Sequence, residues 1–301
     1  MLISLISLIL LISLTTYLVY MPAQIIDGKT IAENILLDLK TKITGLKRQP
    51  GLAVILVGDD PASHLYVKNK KKAAQKIGVV FNDYYCGQKC CPQATAKEVL
   101  EMIDFLNNDQ AIDGIIVQLP LPKNFDREKI INQISPAKDV DGFHSQNQKD
   151  YLADQSPITP PLIGAVNEAL KATGQNLAGK NAVIVAKGEI FAEALKKDLE
   201  NQGLKVKISK PDRALAGLTK QADVLVVILG QKKFITKNMV KPEAIIIDIG
   251  TNLIGENKFV GDASPEVAEV AGFLTPVPGG IGPLTVAMLL KNVYELAKNN
   301  Q

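Results

Sequence analysis

The run Gly51-Leu-Ala-Val-Ile-Leu-Val-Gly58 is apolar from one glycine to the next, with no polar residue alternating along it. A strand buried on both faces accounts for such a run, and strands of this kind belong to mostly parallel sheets covered by helices. The neighbouring segments supply the covers. Ile31, Ile35, Leu36, Leu39 and Ile43 recur at helical spacing and predict a helix over residues 29–43. After a turn at 59–62, a second helix carries Tyr66 and Lys70. A strand near 79–85, a helix over 94–107 and the apolar run 114–119 continue the alternation, which predicts an α/β fold.

In sheets of this type ligands bind beyond the carboxyl ends of the strands. Gln118 ends its predicted strand, and Pro120 and Pro122 stop the ladder behind it. Ser63, Tyr66 and Lys70 follow an earlier strand at helical offsets of three and four, so a hydroxyl, a phenol and an amine share one helix face. Gln118, Tyr66 and Lys70 are therefore expected to face one crevice. Asp139 and Asp141 flank Val140 and point to the same side if the segment is extended.

The segment 145–161 is polar and then proline-bearing, and reads as the start of a second domain. Short β-prone runs at 181–186, 205–209, 223–229 and 244–249 follow, a Rossmann-like arrangement. Thr275-Pro-Val-Pro-Gly-Gly-Ile-Gly-Pro-Leu-Thr285 is too rich in Pro and Gly for a helix or a central strand. It predicts a shaped loop, in which Pro278, Gly279 and Gly280 let the backbone approach a ligand closely. A last helix is expected over 284–298.

A chain of 301 residues, 47% hydrophobic, suffices for about two domains. A net charge of +3 with 5% aromatic residues and no Trp argues against a nucleic-acid binder. Lys68, Lys70, Lys71, Lys72 and Lys76 read either as a receiver for an acidic small molecule or as a solvated helix face. Cys86, Cys90 and Cys91 form neither a spaced disulfide framework nor a zinc pattern, so reduced thiols and no metal are expected. Residues 2–20 carry no charge and are about the ~20 residues a bilayer crossing needs, but they lack the basic start of a secretory signal.

Four segments in order, Ser63-His-Leu-Tyr66-Val-Lys-Asn-Lys70, Val117-Gln118-Leu-Pro-Leu-Pro122, Lys138-Asp-Val-Asp141-Gly142 and the Pro/Gly loop, resemble the bifunctional methylenetetrahydrofolate dehydrogenase/methenyltetrahydrofolate cyclohydrolase family. The resemblance runs from about Met21 to the C-terminus. It implies two α/β domains with a cleft between them: a catalytic folate-binding domain over 21–144, completed by the C-terminal helix 283–301, and a Rossmann-like NAD(P)-binding domain over 145–282. The implied activity interconverts 5,10-methylene-, 5,10-methenyl- and 10-formyltetrahydrofolate with NADP, in the one-carbon metabolism that feeds purine biosynthesis. A cytoplasmic homodimer without metal is implied as well.

Carried over residue by residue, the resemblance makes Lys70 the general acid/base, tuned by Gln118, with Tyr66 stacking on a planar ring. Asp141 would hold the pterin amino groups, Ser63 would support the helix start or the site, and Pro278, Gly279 and Gly280 would line the folate site. Ala186, Lys187, Gly188 and Thr251 fall in the cofactor region. Met21 resembles the family's natural start, so residues 1–20 read first as a miscalled start and second as a membrane anchor.

The resemblance weakens at one place. Where family members have Gly-Arg-Ser followed by a further glycine and a proline, this chain has Val185-Ala186-Lys187-Gly188-Glu189-Ile190-Phe191-Ala192-Glu193. Lys187 supplies charge without the bidentate fork of an arginine, and Gly188 lacks a hydroxyl. Glu189 and Glu193 put negative charge near a helix start that would otherwise attract phosphate. Lys210-Pro211-Asp212 replaces a common His-Ser pair, while Gly230 and Asp248-Ile-Gly250 are retained. NADP bound weakly, NAD in its place, or a cyclohydrolase without dehydrogenase activity all fit these changes. A membrane-tethered, non-catalytic scaffold is the rival from another class, and it would have no use for Tyr66, Lys70, Gln118 and Asp141.

Overall fold

The computed structural model describes residues 22–87, 95–212, 214–255 and 258–300; the readings of Cys90, Cys91 and the first twenty residues lie outside these. In chain order the elements are β1 (Gln24–Ile25), α1 (Gly28–Ile43), β2 (Gly51–Val57), α2 (Pro61–Ile77), β3 (Val80–Cys86), α3 (Ala96–Asn108), β4 (Gly114–Val117), α4 (Arg127–Gln133), α5 (Ser145–Leu152) and α6 (Pro161–Ala172). There follow β5 (Asn181–Ala186), α7 (Glu189–Asn201), β6 (Lys205–Ser209), α8 (Leu215–Thr219), β7 (Val224–Ile228), β8 (Ile245–Asp248), β9 (Asn252–Leu253), β10 (Phe259–Val260), β11 (Phe273–Leu274) and α9 (Ile281–Asn299).

The chain forms two units. The larger comprises Asp27–Asn176, Glu189–Asn201 and Gly279–Gln301. Its sheet is parallel, in the order β3-β2-β4, and β2 is buried along its whole length as its unbroken apolar run requires. Val99, Ile103 and Leu106 of α3 and Ile130 of α4 cover one face of this sheet against Ala53, Ile55, Ile115 and Val117. At the amino ends of the strands the fully buried Asp113 accepts a bidentate fork from Arg48, at 2.7 and 2.6 Å, and the Gly51 N–H at 2.9 Å.

The smaller unit comprises Met1–Ile26, of which 22–26 are described, with Leu177–Gly188 and Gln202–Pro278. Its parallel sheet runs β1-β11-β8-β7-β5-β6, with β9 and β10 as a separate antiparallel pair. Val183, Val185, Leu225, Val227 and Ile246 lie in its core.

The return of the C-terminal helix to the larger unit is as expected, but the boundaries between the units differ from 144/145 and 20/21. Residues 145–176 belong to the larger unit, because α6 is no linker: Ile163, Val166, Ala169 and Leu170 are buried and α6 packs on α9. Helix α7 joins the same unit through Tyr151, whose hydroxyl donates to Asp198 at 2.7 Å, and through Lys197, which donates to the Tyr151 carbonyl at 3.0 Å and pairs with Asp154. At the other end, residues 22–26 belong to the smaller unit, since β1 extends its sheet beside β11.

The Pro/Gly loop is a loop through Gly280, with Gly279 at φ +107°, and α9 starts at Ile281, three residues ahead of the expected start. The loop also makes a close backbone approach within its own unit. The Lys29 N–H donates to the Gly279 carbonyl at 3.0 Å, and a Cβ on Gly28 would stand 1.9 Å from the Gly280 oxygen. Gly28→Ala must therefore push α1 off the start of α9. A loss of about 2–3 kcal/mol is expected from such overpacking, read as a lower midpoint in urea denaturation.

Candidate active site

Helix α2 opens with Asp60 as N-cap, which accepts the Ser63 N–H at 2.8 Å and the Ser63 hydroxyl at 2.7 Å; Pro61 takes the first turn and Gly78, at φ +88°, closes the helix. Ser63 is thus buried and committed to the helix start. The same helix phase puts Tyr66 and Lys70 one turn apart. Tyr66 is 37% exposed and available to a planar ligand, whereas Lys70 is half-buried.

Gln118 follows β4, its own N–H still in register with the Ile55 carbonyl at 2.8 Å. Its side-chain Nε2 donates to the Leu119 carbonyl at 2.7 Å, which leaves Oε1 to accept from Lys70 Nζ at 2.9 Å. The amide is oriented by one bond and used by the other. Lys70 and Gln118 therefore meet beyond the carboxyl ends of the parallel strands, as the sequence predicts.

Asp141 reaches this pair through a bridge between Ile115 and Asp139 beside β4. The segment is pinned from behind by Asn292 of α9, whose Nδ2 donates to the Val140 carbonyl at 3.0 Å and the Thr159 carbonyl at 2.9 Å. Asp139 turns inward, accepting the Gly142 and His144 N–H groups at 3.0 and 2.7 Å and Asn147 Nδ2 at 3.0 Å. His144 Nδ1 in turn accepts the Gln146 N–H at the start of α5.

Desolvation lowers the pKa of the Lys70 amine, with the Asp141 charge pulling it back up. Desolvation likewise raises the Asp141 carboxyl, against the attraction of Lys70 and with a further push from Asp139. Both groups are moved toward their neutral forms, the condition for proton transfer near neutral pH. Of the lysines around them, Lys71 pairs with Asp83 at 2.8 Å, while Lys68, Lys72 and Lys76 lie exposed as a solvated face.

In the smaller unit, Ala186 is buried at the end of β5, and Lys187, Gly188 and Thr251 are exposed. No atom stands within 4 Å of where a Cβ would sit on Gly188 or Gly230, so the backbone there is open to an incoming ligand. That openness, at the carboxyl ends of neighbouring parallel strands β5 and β7, fits a dinucleotide. Behind these loops lie two buried carboxylates, Asp248 and Asp262. Asp248 accepts the N–H groups of Gly250, Asp262 and Ala263 at 2.9, 3.0 and 2.8 Å, yet burial still pushes its carboxyl up to about 6. Among the described residues no three His, Cys, Asp or Glu side chains group to hold a metal ion.

Sequence reasoning missed Asn292 and Asp262. Asn292 at helical offsets of three and four from the apolar Leu289, Met288 and Leu296 was the available signal for the first, and the Gly261-Asp262 pair after a short strand for the second.

The catalytic-domain profile of the tetrahydrofolate dehydrogenase/cyclohydrolase family matches residues 26–141, and its NAD(P)-binding-domain profile matches 157–301. The bifunctional protein FolD of Ruthia magnifica is 43% identical over 272 residues, covering 89% of this chain and 96% of its own; that of Moorella thermoacetica is 42% identical, covering 92% and 100%. Among solved structures, the bifunctional FolD methylenetetrahydrofolate dehydrogenase/cyclohydrolase of Campylobacter jejuni superposes with a TM-score of 0.87 at 38% identity, covering 93% of this chain and all of its own. The Trypanosoma brucei enzyme, solved with NADP cofactor and an inhibitor, superposes with a TM-score of 0.86 at 31% identity, covering 93% and 98%. With both profiles matched in order and relatives above 40% identity aligned over nearly their whole length, the chain belongs to the tetrahydrofolate dehydrogenase/cyclohydrolase family.

Proposed function

We propose that the protein interconverts 5,10-methylene-, 5,10-methenyl- and 10-formyltetrahydrofolate, as a dehydrogenase and cyclohydrolase. The observation that carries this reading is the desolvated Lys70 amine held 2.9 Å from Gln118 Oε1, with the Asp141 charge acting on it. The cationic methenyl substrate lowers the amine's proton affinity further, as a nearby positive charge must. Neutral Lys70 takes a proton from the water whose oxygen bonds to the methenyl carbon. The carbon–N5 bond then breaks with its electron pair on N5, the Lys70 ammonium returns its proton there, and the hydroxyl on the carbon releases its remaining proton to solvent as the formyl C=O forms.

Gln118 holds the amine in place throughout. Tyr66 stacks on the folate ring, and Asp141 accepts from the paired pterin donors. Ser63 keeps the helix start that aims both α2 side chains, and Pro278, Gly279 and Gly280 line the folate site. Ala186, Lys187, Gly188 and Thr251 would hold NADP, whose nicotinamide when bound accepts the hydride of the methylene carbon. In the smaller unit the open backbone at Gly188 and Gly230 supports this assignment.

We also infer a cytoplasmic homodimer serving purine biosynthesis. The outer side of β3 pairs with no strand among the described residues and exposes Val80 and Tyr85, a surface suited to a second copy.

Lys70→Met is expected to lower cyclohydrolase turnover by about 10²–10⁴-fold while folate binding changes little, since the amine moves protons and supplies little binding surface. Absorbance of the methenyl substrate, corrected for spontaneous hydrolysis, measures it, and a variant hydrolysing at the wild-type rate would remove Lys70 from the mechanism. Gln118→Glu places a carboxylate against Lys70 and raises the amine's pKa. The base form then appears only at higher pH, so the acid limb of the kcat/KM profile should move up; an unmoved or lowered limb would refute the pairing.

For the cofactor, roughly one to two orders of magnitude weaker NADP+ binding is expected than an arginine fork would give, because a lost charge-assisted hydrogen bond costs about 1.5–3 kcal/mol. Discrimination against NAD+ should be correspondingly small. Calorimetric titration of both nucleotides beside a hydride-transfer assay measures this. Tight, strongly NADP+-selective binding would show that residues other than Lys187 hold the 2′-phosphate.

A further inference from the structure

The buried Asp262 makes no contact that the folate chemistry uses, yet its carboxylate is crowded with donors. It accepts the consecutive backbone N–H groups of Leu229, Gly230 and Gln231 at 2.5, 3.1 and 2.7 Å, and Asn252 Nδ2 at 2.9 Å. The packing around it leaves no slack: a Cβ on Gly250 would stand 2.3 Å from the Asp262 Cγ, and one on Gly261 would stand 1.9 Å from Asp248 Oδ2. Gly230 itself sits at φ +62°, a conformation glycine adopts freely. Asp262 therefore dictates the shape of the loop that follows β7.

The place of that loop gives the shape its meaning. In the order β1-β11-β8-β7-β5-β6, the chain leaves β5 toward β6 on one side and then returns past β5 to β7 on the other. The strand order reverses between β5 and β7, and in open parallel sheets the crevice outside the carboxyl ends at such a reversal is where dinucleotides lie. One lip is Ala186-Lys187-Gly188. The other is Leu229-Gly230-Gln231.

We propose that Asp262 is a positioning residue for the dinucleotide, setting the backbone of the Leu229-Gly230-Gln231 lip without touching the ligand. This rests on the smaller unit being the nucleotide-binding half. Because it acts through backbone, Asp262 affects NADP and NAD alike, unlike a residue that reads the 2′-phosphate. In Asp262→Asn an amide nitrogen replaces one acceptor oxygen, so whichever way the amide turns, a loop N–H meets a donor.

The test titrates NADP+ and NAD+ calorimetrically into the full-length wild type, Asp262→Asn and the milder Asn252→Ala, with cyclohydrolase kinetics and thermal melts alongside. Asp262→Asn should weaken both nucleotides about tenfold, the equivalent of about 1.4 kcal/mol, and by the same factor. Cyclohydrolase kcat and KM should stay within about twofold, since a charge-assisted network in the smaller unit is disturbed and the larger unit is not. Asn252→Ala should give a smaller loss in the same direction, and it decides the matter if Asp262→Asn does not fold. Unchanged nucleotide affinity in folded variants, a loss confined to NADP+, or an equal loss of cyclohydrolase activity would each overturn the proposal. A wild type that binds neither nucleotide would instead overturn the dehydrogenase reading, and this proposal with it.

Discussion

A parallel sheet leaves its carboxyl edge as a row of loops whose backbone N–H groups no longer have a strand to bond, and buried donors without partners are costly. This protein meets that demand with buried carboxylates. Asp139 sits in the bridge beside β4, Asp248 ends β8 and Asp262 comes just after β10, and each accepts at least two backbone N–H groups from the loops beside it. An isolated buried carboxylate would be destabilising, and the raised pKa values of Asp139 and Asp248 show burial prevailing over those bonds. What the arrangement yields in return is geometric: a charge-assisted bond fixes a loop's backbone more firmly than water can. The loops that present Asp141, Gly230 and Gly250 are held in this way.

The same edge explains why one lysine among many is chemically distinct. Lys68, Lys72 and Lys76 project from α2 into solvent and Lys71 finds Asp83, whereas the helical phase of Lys70 turns its amine toward the end of β4. There its hydrogen-bond partner is a neutral amide. Gln118 satisfies the amine without adding the charge that would hold it fully protonated, and Asp141 supplies only a partial counterweight to desolvation. A carboxylate in place of Gln118 would make a stronger ion pair and a poorer base.

Much of this was readable from sequence. The apolar run of β2 and the periodicity of α1 fixed their own assignments, and β5 and β6 occur at the residues their β-prone runs occupy. The meeting of Lys70 and Gln118 was readable because helix offsets and strand ends are local properties, while the roles expected of them and of Tyr66 came from the resemblance. The residues behind them were not. Asp262 looks in sequence like an ordinary loop acid, and its importance comes from partners up to 33 residues away. Asn292 reaches 152 residues back to Val140, a separation that no local pattern encodes. The two-residue strands β1 and β11 are too short for any periodicity, and the polar start of 145–176 concealed the buried face of α6.

The departures from the family pattern can now be sorted by what kind of atom makes the contact. Lys187, Gly188 and Glu189 differ in side chain, at the lip formed by the end of β5 and the residues after it. Gly230 and Asp248-Ile-Gly250 remain, and a Cβ on Gly250 or on nearby Gly261 would collide with the carboxylate of Asp262 or of Asp248. Backbone N–H groups recognise the pyrophosphate common to both nicotinamide dinucleotides, whereas the 2′-phosphate that separates them is read by side chains. Under the proposed function, a chain that keeps the first set and alters the second would hold a dinucleotide with little discrimination between the two. On the proposed assignment, the altered lip bears on the choice between dinucleotides, while the parallel sheet beneath it keeps its strand order.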